Sequence, residues 1–159
     1  MRVISINVKP YIARYVMSRY NSSAGAVLLP PHSLALHAIY NLLQSRPRMA
    51  VPRDGNLQVM LREGVVKKDI IKNNYLSARA ERYIDRLLTL DFDMTLHEYM
   101  DKQYYQKGID YEASAEAFSV MYNLGDTLTS GALLKKHIRW KKLRREYRRQ
   151  AEQGEISFV

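Results

Sequence analysis

DYEASAEAFSVMYNLGDTLTSGALLKKHIRWKKLRREYRRQ, residues 110–150, reads as two helices joined by a short break. The first is predicted from Asp110 to about Asn123, with Ala113, Ala117, Val120 and Met121 turned inward and Gly125 ending it. A turn is expected around Leu124-Gly125-Asp126. Thr129 then offers the side-chain oxygen that a helix start needs, and the second helix runs on through the basic segment. On that helix Leu133, Leu134, His137 and Ile138 span one face at about 100° per residue, the face expected to pack on its neighbour.

The second helix is where the charge lies. Residues 133–150 hold nine Lys or Arg side chains and one acid, Glu146, for a formal charge of +8. The whole 159-residue chain is only +9; residues 1–132 contribute +3 (16 basic, 13 acidic) and the last nine contribute −2. A solvated helix that merely aids solubility ordinarily relieves such repulsion with acids one turn away. Here they are almost absent. Lys141, Arg144, Arg145 and Arg148 continue the direction of the apolar face, and four cations cannot face a core. The last two or three turns are therefore expected to leave the body. Lys135, Lys136, Arg139 and Lys142 occupy the opposite face. Trp140, Leu143 and Tyr147 form a third strip, suited to stacking on bases, to packing against another protomer in a homodimer, or to folding back on the domain. Packing against protein is the favoured use.

Working back toward the N-terminus, RVISINVKP alternates and predicts a strand, and Pro10 can open a helix whose Ile12, Tyr15, Val16 and Arg19 share a face. Asn21 begins the breaker run NSSAG. AVLLPP predicts a second short strand stopped by its two prolines. Ser33 suits the cap of a helix striped by Leu36, Ile39, Tyr40 and Leu43. RPRMAVPRDGNLQVMLRE looks β-like, with Asp54-Gly55 as a hairpin turn and Pro52 shortening one strand or pushing it to an edge. Beyond about residue 66 the chain reads as wholly helical. SARAERYIDRLLTL buries Ala80, Tyr83, Ile84, Leu87 and Leu88, leaving Arg79, Arg82 and Arg86 outside. A new helix then starts at a Thr95/Glu98 capping box and closes at Gly108. The expected fold is α+β: an N-terminal part, 1–65, with short strands and two helices, then a mostly helical region, 66–159, together one compact unit.

Several classes of function are disfavoured. The absence of cysteine excludes disulfides and thiolate metal sites. No apolar run approaches the roughly 18–20 residues of a membrane span, and MRVISINVKP lacks a signal-peptide core, so a cytoplasmic protein without membrane association is expected. Tyr104-Tyr105 suggests a DNA-linking nucleophile, but His32, His37, His97 and His137 lack the His-x-His spacing that such nucleases need. Tyr104 instead continues the Leu96, Met100 stripe, with Tyr105 at its edge. Asp91, Asp93, His97, Glu98 and Asp101 suggest a metal site, yet Glu98 is absorbed by the capping box and Asp91 and Asp93 by the acidic bias of helix starts. Phosphate loops and nucleophile elbows are absent. The final Ser157-Phe158-Val159 weakly matches a peptide-capture pattern and reads better as a frayed tail or edge strand. The reading is of a protein with no catalytic residues, metal or cofactor.

The order helix, glycine turn, basic helix over 110–149 resembles a helix-turn-helix, whose second helix enters the major groove. The whole layout resembles small helix-turn-helix DNA-binding proteins of phages and mobile elements. That resemblance implies a non-enzymatic binder of double-stranded DNA, in transcriptional regulation or replication. Helix geometry puts Ser130, Lys135, Lys136 and Arg139 near base edges, and Lys141, Lys142, Arg144, Arg145, Arg148 and Arg149 on phosphates. The alternatives are an RNA-binding protein or an adaptor docking an acidic protein partner.

Overall fold

The alternating RVISI segment forms strand β1, Arg2–Ile6, in a computed structural model that describes residues 1–20, 22–51 and 53–154, with backbone alone at 22–23. Asn21, Pro52 and the final Ser157-Phe158-Val159, each given a role above, lie outside the described residues. The architecture is α+β. Two compact units, Met1–Phe92 and Asp93–Val159, meet within one long helix. The change of pattern near residue 65 marks the end of the last strand rather than the unit boundary.

In the first unit, β1 buries Ile4 and Ile6 and exposes Val3, as alternation requires. Pro10 stands at the start of helix α1, Pro10–Arg19, which buries Ile12, Tyr15 and Val16. The breaker run becomes a tiny hairpin, β2 (Ser22–Ser23) and β3 (Ala26–Val27), turned by Ala24 and Gly25 at φ +53° and +79°. Ser33 caps helix α2, Leu34–Leu42, by accepting from the Leu36 amide. Its buried face is Ala35, Ala38, Ile39 and Tyr40, continued by Leu43, with Leu36 half-buried. Strand β4, Leu57–Leu61, pairs antiparallel with β1 and parallel with β3, giving the sheet order β1-β4-β3-β2.

No hairpin forms at Asp54-Gly55. Both sides of β4 are already taken, so no edge is left for residues 45–51. The Gly55 amide instead donates to Ser5 Oγ at 2.6 Å, and Asn56 bonds the Val8 amide and carbonyl at 2.9 and 2.7 Å. A Cβ on Gly55 would meet the Ile6 backbone at 2.3 Å. The glycine is there for close approach rather than for a turn.

Residues 66–77 are not helical. Helix α3 begins at Ala78, with Ser77 Oγ accepting from the Ala80 amide, and runs unbroken to Lys107. Thr95 and Glu98 therefore do not cap a second helix. With no Gly or Pro across the segment, nothing interrupts the ladder, and Ala80, Ile84, Leu88, Phe92, Leu96 and Met100 form one buried i, i+4 ridge. Arg79, Arg82 and Arg86 lie outside as expected, but Tyr83 is exposed and Leu87 half-buried. Asp91 is no helix-start acid either, since it accepts from the Tyr20 hydroxyl at 2.7 Å. Within this unit Phe92 meets Tyr11 and Tyr15 edge-on, both at 5.1 Å.

The second unit consists of the later half of α3, helix α4 (Tyr111–Met121) and helix α5 (Ser130–Glu152). Gly108, at φ +66°, ends α3. Asp110 caps α4 through the Ala113 amide. The buried face of α4 is Ser114, Ala115 and Phe118, not the expected Ala113, Ala117, Val120 and Met121, which are exposed. The larger rings prevail: Phe118 packs on Tyr99 and Tyr122 at 5.6 and 4.7 Å. Eight residues, 122–129, separate α4 from α5, more than the three or four of a tight helix-turn-helix. Asn123 and Gly125 adopt φ +54° and +56° in that connection, and Leu124 between them is fully buried. Among the described residues no helix is long and apolar enough to cross a membrane.

Candidate functional site

Helix α5 starts where Thr129 Oγ1 accepts from the Ala132 amide at 3.1 Å. Its inner face is Leu133 and His137, both fully buried, followed by the half-buried Trp140, Lys141 and Arg144. Leu134 is only half-buried and Ile138 is 52% exposed, so of the four residues expected on the packing face Leu133 and His137 do the anchoring. The helix stays on the unit through Arg144, and beyond it residues 145–149 are exposed on every side, so only the last two turns depart. Lys141 and Arg144 face inward after all, because acceptors on α3 and α4 receive them.

Those acceptors form a matching stripe. Asp93, His97 and Asp101 follow one another at four-residue steps on α3, and each meets a residue of α5. Lys136 Nζ pairs with Asp93 Oδ1 at 3.1 Å. His137 Nε2 lies 3.1 Å from Asp101 Oδ1, and Arg144 reaches the other oxygen at 3.6 Å. His97 Nδ1 and His137 Nδ1 are 3.0 Å apart. An ionised carboxylate only accepts, so His137 Nε2 carries the proton toward Asp101. The neutral ring then has a lone pair at Nδ1, and His97 Nδ1 donates to it. Burial, reinforced by the charges of His137 and Lys136, lowers the His97 pKa to about 4. Burial also lowers the His137 pKa, against the pull of Asp101. Trp140 meets two flat groups, the His97 ring 4.3 Å away at 5° and the Arg144 guanidinium 4.4 Å from its centroid.

Lys141 is held by tyrosines. Its Nζ donates to Tyr111 Oη at 2.5 Å and to Tyr105 Oη at 3.3 Å, and sits 4.7 Å from the Tyr111 ring centroid. Bonding to Tyr111 raises the Lys141 pKa, and the lysine in turn lowers that of Tyr105. Tyr104, far from continuing the buried stripe, is 45% exposed and stacks on Tyr111 at 4.6 Å; Gln103 is the buried residue there. His137 is thus sealed from solvent, and Tyr105 and Tyr111 are both bound to Lys141. Among the described residues no three His, Asp or Glu side chains converge to hold a metal ion.

The remaining cations of α5 point elsewhere. Lys135, Arg139, Lys142 and Arg149 recur at i, i+4, i+7 and i+14, on the side opposite Leu133 and His137; Arg145 borders that face, and Arg148 continues the inner side one turn past the Arg144 pair with Asp101. All six are exposed, and among the described residues none has an ion pair. Ser130 is half-buried at the first position of the helix. The ten expected binding residues thus divide: six are exposed, three (Lys136, Lys141, Arg144) are partnered inside the unit, and Ser130 lies at the helix start.

Asp93, Asp101, Tyr105, Tyr111 and the His97–His137 pair were not among the expected site residues. A signal existed. Asp93, His97 and Asp101 at steps of four on one helix match His137, Lys141 and Arg144 at four and three on another, which is the pattern of two facing stripes. Searches against protein-family models, curated proteins and solved structures found no match to this chain.

Proposed function

We propose that this protein is a non-enzymatic binder of double-stranded DNA that presents the outer face of α5 to the phosphate backbone. One observation supports this above all: six exposed Lys and Arg side chains on one helix, interrupted by Glu146 alone, while the inner cations already have partners. Lys135 to Arg149 spans about 21 Å at 1.5 Å rise per residue, enough to follow several phosphates. Lys136, Lys141 and Arg144 serve to fix the helix, so they contribute to DNA affinity indirectly. Base reading, if present, falls to Lys135 and Arg139, which lie nearest the anchored start of the helix. A role in transcription or replication follows only where a preferred sequence exists.

The test is fluorescence anisotropy with a labelled duplex over a range of salt. If four to six cations neutralise phosphates, log K falls against log[salt] with a slope of about −4 to −5. Replacing Lys142, Arg145 and Arg149 together with Ala should flatten that slope by about 3. An unchanged slope would place the contacts elsewhere. Preference for single-stranded RNA, or binding only to an acidic protein, would replace the DNA reading with one of its alternatives.

A further inference from the structure

A cavity of about 490 Å³ opens in the first unit among β3, β4, α2 and the loop after β4. Its size lies within the range of small-molecule sites. The walls are aliphatic, from Leu28, Leu29, Leu36, Met60, Val65 and Val66, with Pro30 and Pro31 stiffening the connection between β3 and α2. The polar groups at its edge are few. His37 and Arg62 are exposed and line it, and no Asp or Glu does so. Arg19 also lines it, but that guanidinium already meets the Tyr15 hydroxyl and Asp91. Arg62 has no ion pair among the described residues.

The cavity is held open by bonds that do not depend on a ligand. Lys68 Nζ donates to the carbonyls of Tyr40, Asn41 and Leu43 at 3.2, 3.0 and 2.8 Å, fastening the loop after β4 to the C-terminus of α2. Tyr40 Oη accepts from the Arg62 amide at 2.9 Å and donates to the Arg62 carbonyl at 3.3 Å. Val65 and Val66 lie between these two ties, so their wall is set in advance. A pre-set apolar cavity loses little entropy on filling.

We infer that this cavity binds a small amphipathic anion, with an apolar body against the aliphatic walls and one carboxylate or similar group on Arg62. The charge argument selects the anion: a cation would meet only like charge at the edge, and an uncharged apolar molecule would leave the guanidinium unused. The site lies wholly within the first unit and is independent of the reading of α5.

Isothermal titration with decanoate on the full chain tests it. Decanoate should bind saturably, one molecule per chain, and decanol on the order of tenfold more weakly, the equivalent of about 1.4 kcal/mol. Arg62→Met should bring decanoate down to the level of decanol without lowering the melting temperature, since only the backbone of Arg62 is bonded. Val66→Trp should abolish binding by filling the space; Val65→Phe, at a more exposed position, is the second variant should the first not fold. Absence of saturable binding overturns the inference. So does equal affinity for decanoate and decanol, or decanoate binding that survives both filling variants, because the anion would then sit on another basic surface.

Discussion

Lowering the pH from neutral toward 5 should loosen the second unit. The cause is His97, buried beside His137 and Lys136 and holding a pKa of about 4 in the folded chain against 6.5 when unfolded. Between those values the unfolded chain binds a proton that the folded one refuses, so this contribution to stability is present above pH 6.5. It is lost as the pH falls toward 4. At pH 5 the loss from this group alone comes to about 2 kcal/mol, out of about 3 kcal/mol for the full shift. His137, lowered in the same direction, adds to it. The protein carries its own probe: Trp140, its one tryptophan, stacks on His97 at 4.3 Å. Urea unfolding followed by Trp140 emission should give a midpoint that falls clearly from pH 7.5 to pH 5. His97→Gln, which can still donate to His137 Nδ1 but cannot titrate, should lose much less over the same interval. Equal losses in the two proteins would show that His97 is not held neutral, and the buried-pair reasoning would fail.

Three further outcomes are expected. Leu133→Ala, at a fully buried position, should cost about 2–5 kcal/mol in urea unfolding, whereas Ile138→Ala, half exposed, should cost less than about 0.5 kcal/mol; a reversed order would move the face by which α5 packs. Gly55→Ala must push against the Ile6 backbone and should destabilise the first unit by on the order of 1–3 kcal/mol, read as protection lost by the β1 and β4 amides in hydrogen exchange; unchanged protection would refute the close approach. Ser114 Oγ is buried without a hydrogen bond among the described residues, so Ser114→Ala should raise stability by roughly 1 kcal/mol in thermal unfolding, and a loss would reveal a bond that the hydroxyl does make.

What the sequence discloses and what it hides follow from the range of the forces involved. Pro10, Ser33 and Thr129 start their helices as expected, because a cap is a contact across three residues and needs nothing from afar. The alternation of β1 is equally local. The failures are all questions of what lies opposite. Thr95 and Glu98 have capping-box spacing, but a helix already in progress from Ala78 has no free amides for them to cap. Asp54-Gly55 has turn chemistry, but β1 and β3 claim the edges of β4 first. Two faces of α4 were each apolar enough to bury, and Phe118 rather than a row of smaller residues settled which one did.

The basic helix shows the same division within one element. Lys141, Arg144, Arg145 and Arg148 continue the apolar face, and four cations facing a core predict a helix that departs from the body. The departure comes only after Arg144, because Lys141 and Arg144 meet groups some 30 to 43 residues earlier in the chain, whereas Arg145 and Arg148 are exposed as expected. Asp101 receives both His137 and Arg144, Asp93 receives Lys136, and Tyr111 receives Lys141. Arg144 also lies over the Trp140 ring, on which His97 stacks. These inner charges lose hydration, but each recovers a bond or a ring face, so the helix can lie on the unit without an unpaired buried charge. The six exposed cations have no such partners among the described residues, and the pairs formed inside do nothing to relieve them. Their mutual repulsion falls when salt or a polyanion supplies counter-charge. A ligand that binds this face is therefore acting on a helix already fastened from behind, and affinity for an anion need not be spent on ordering it.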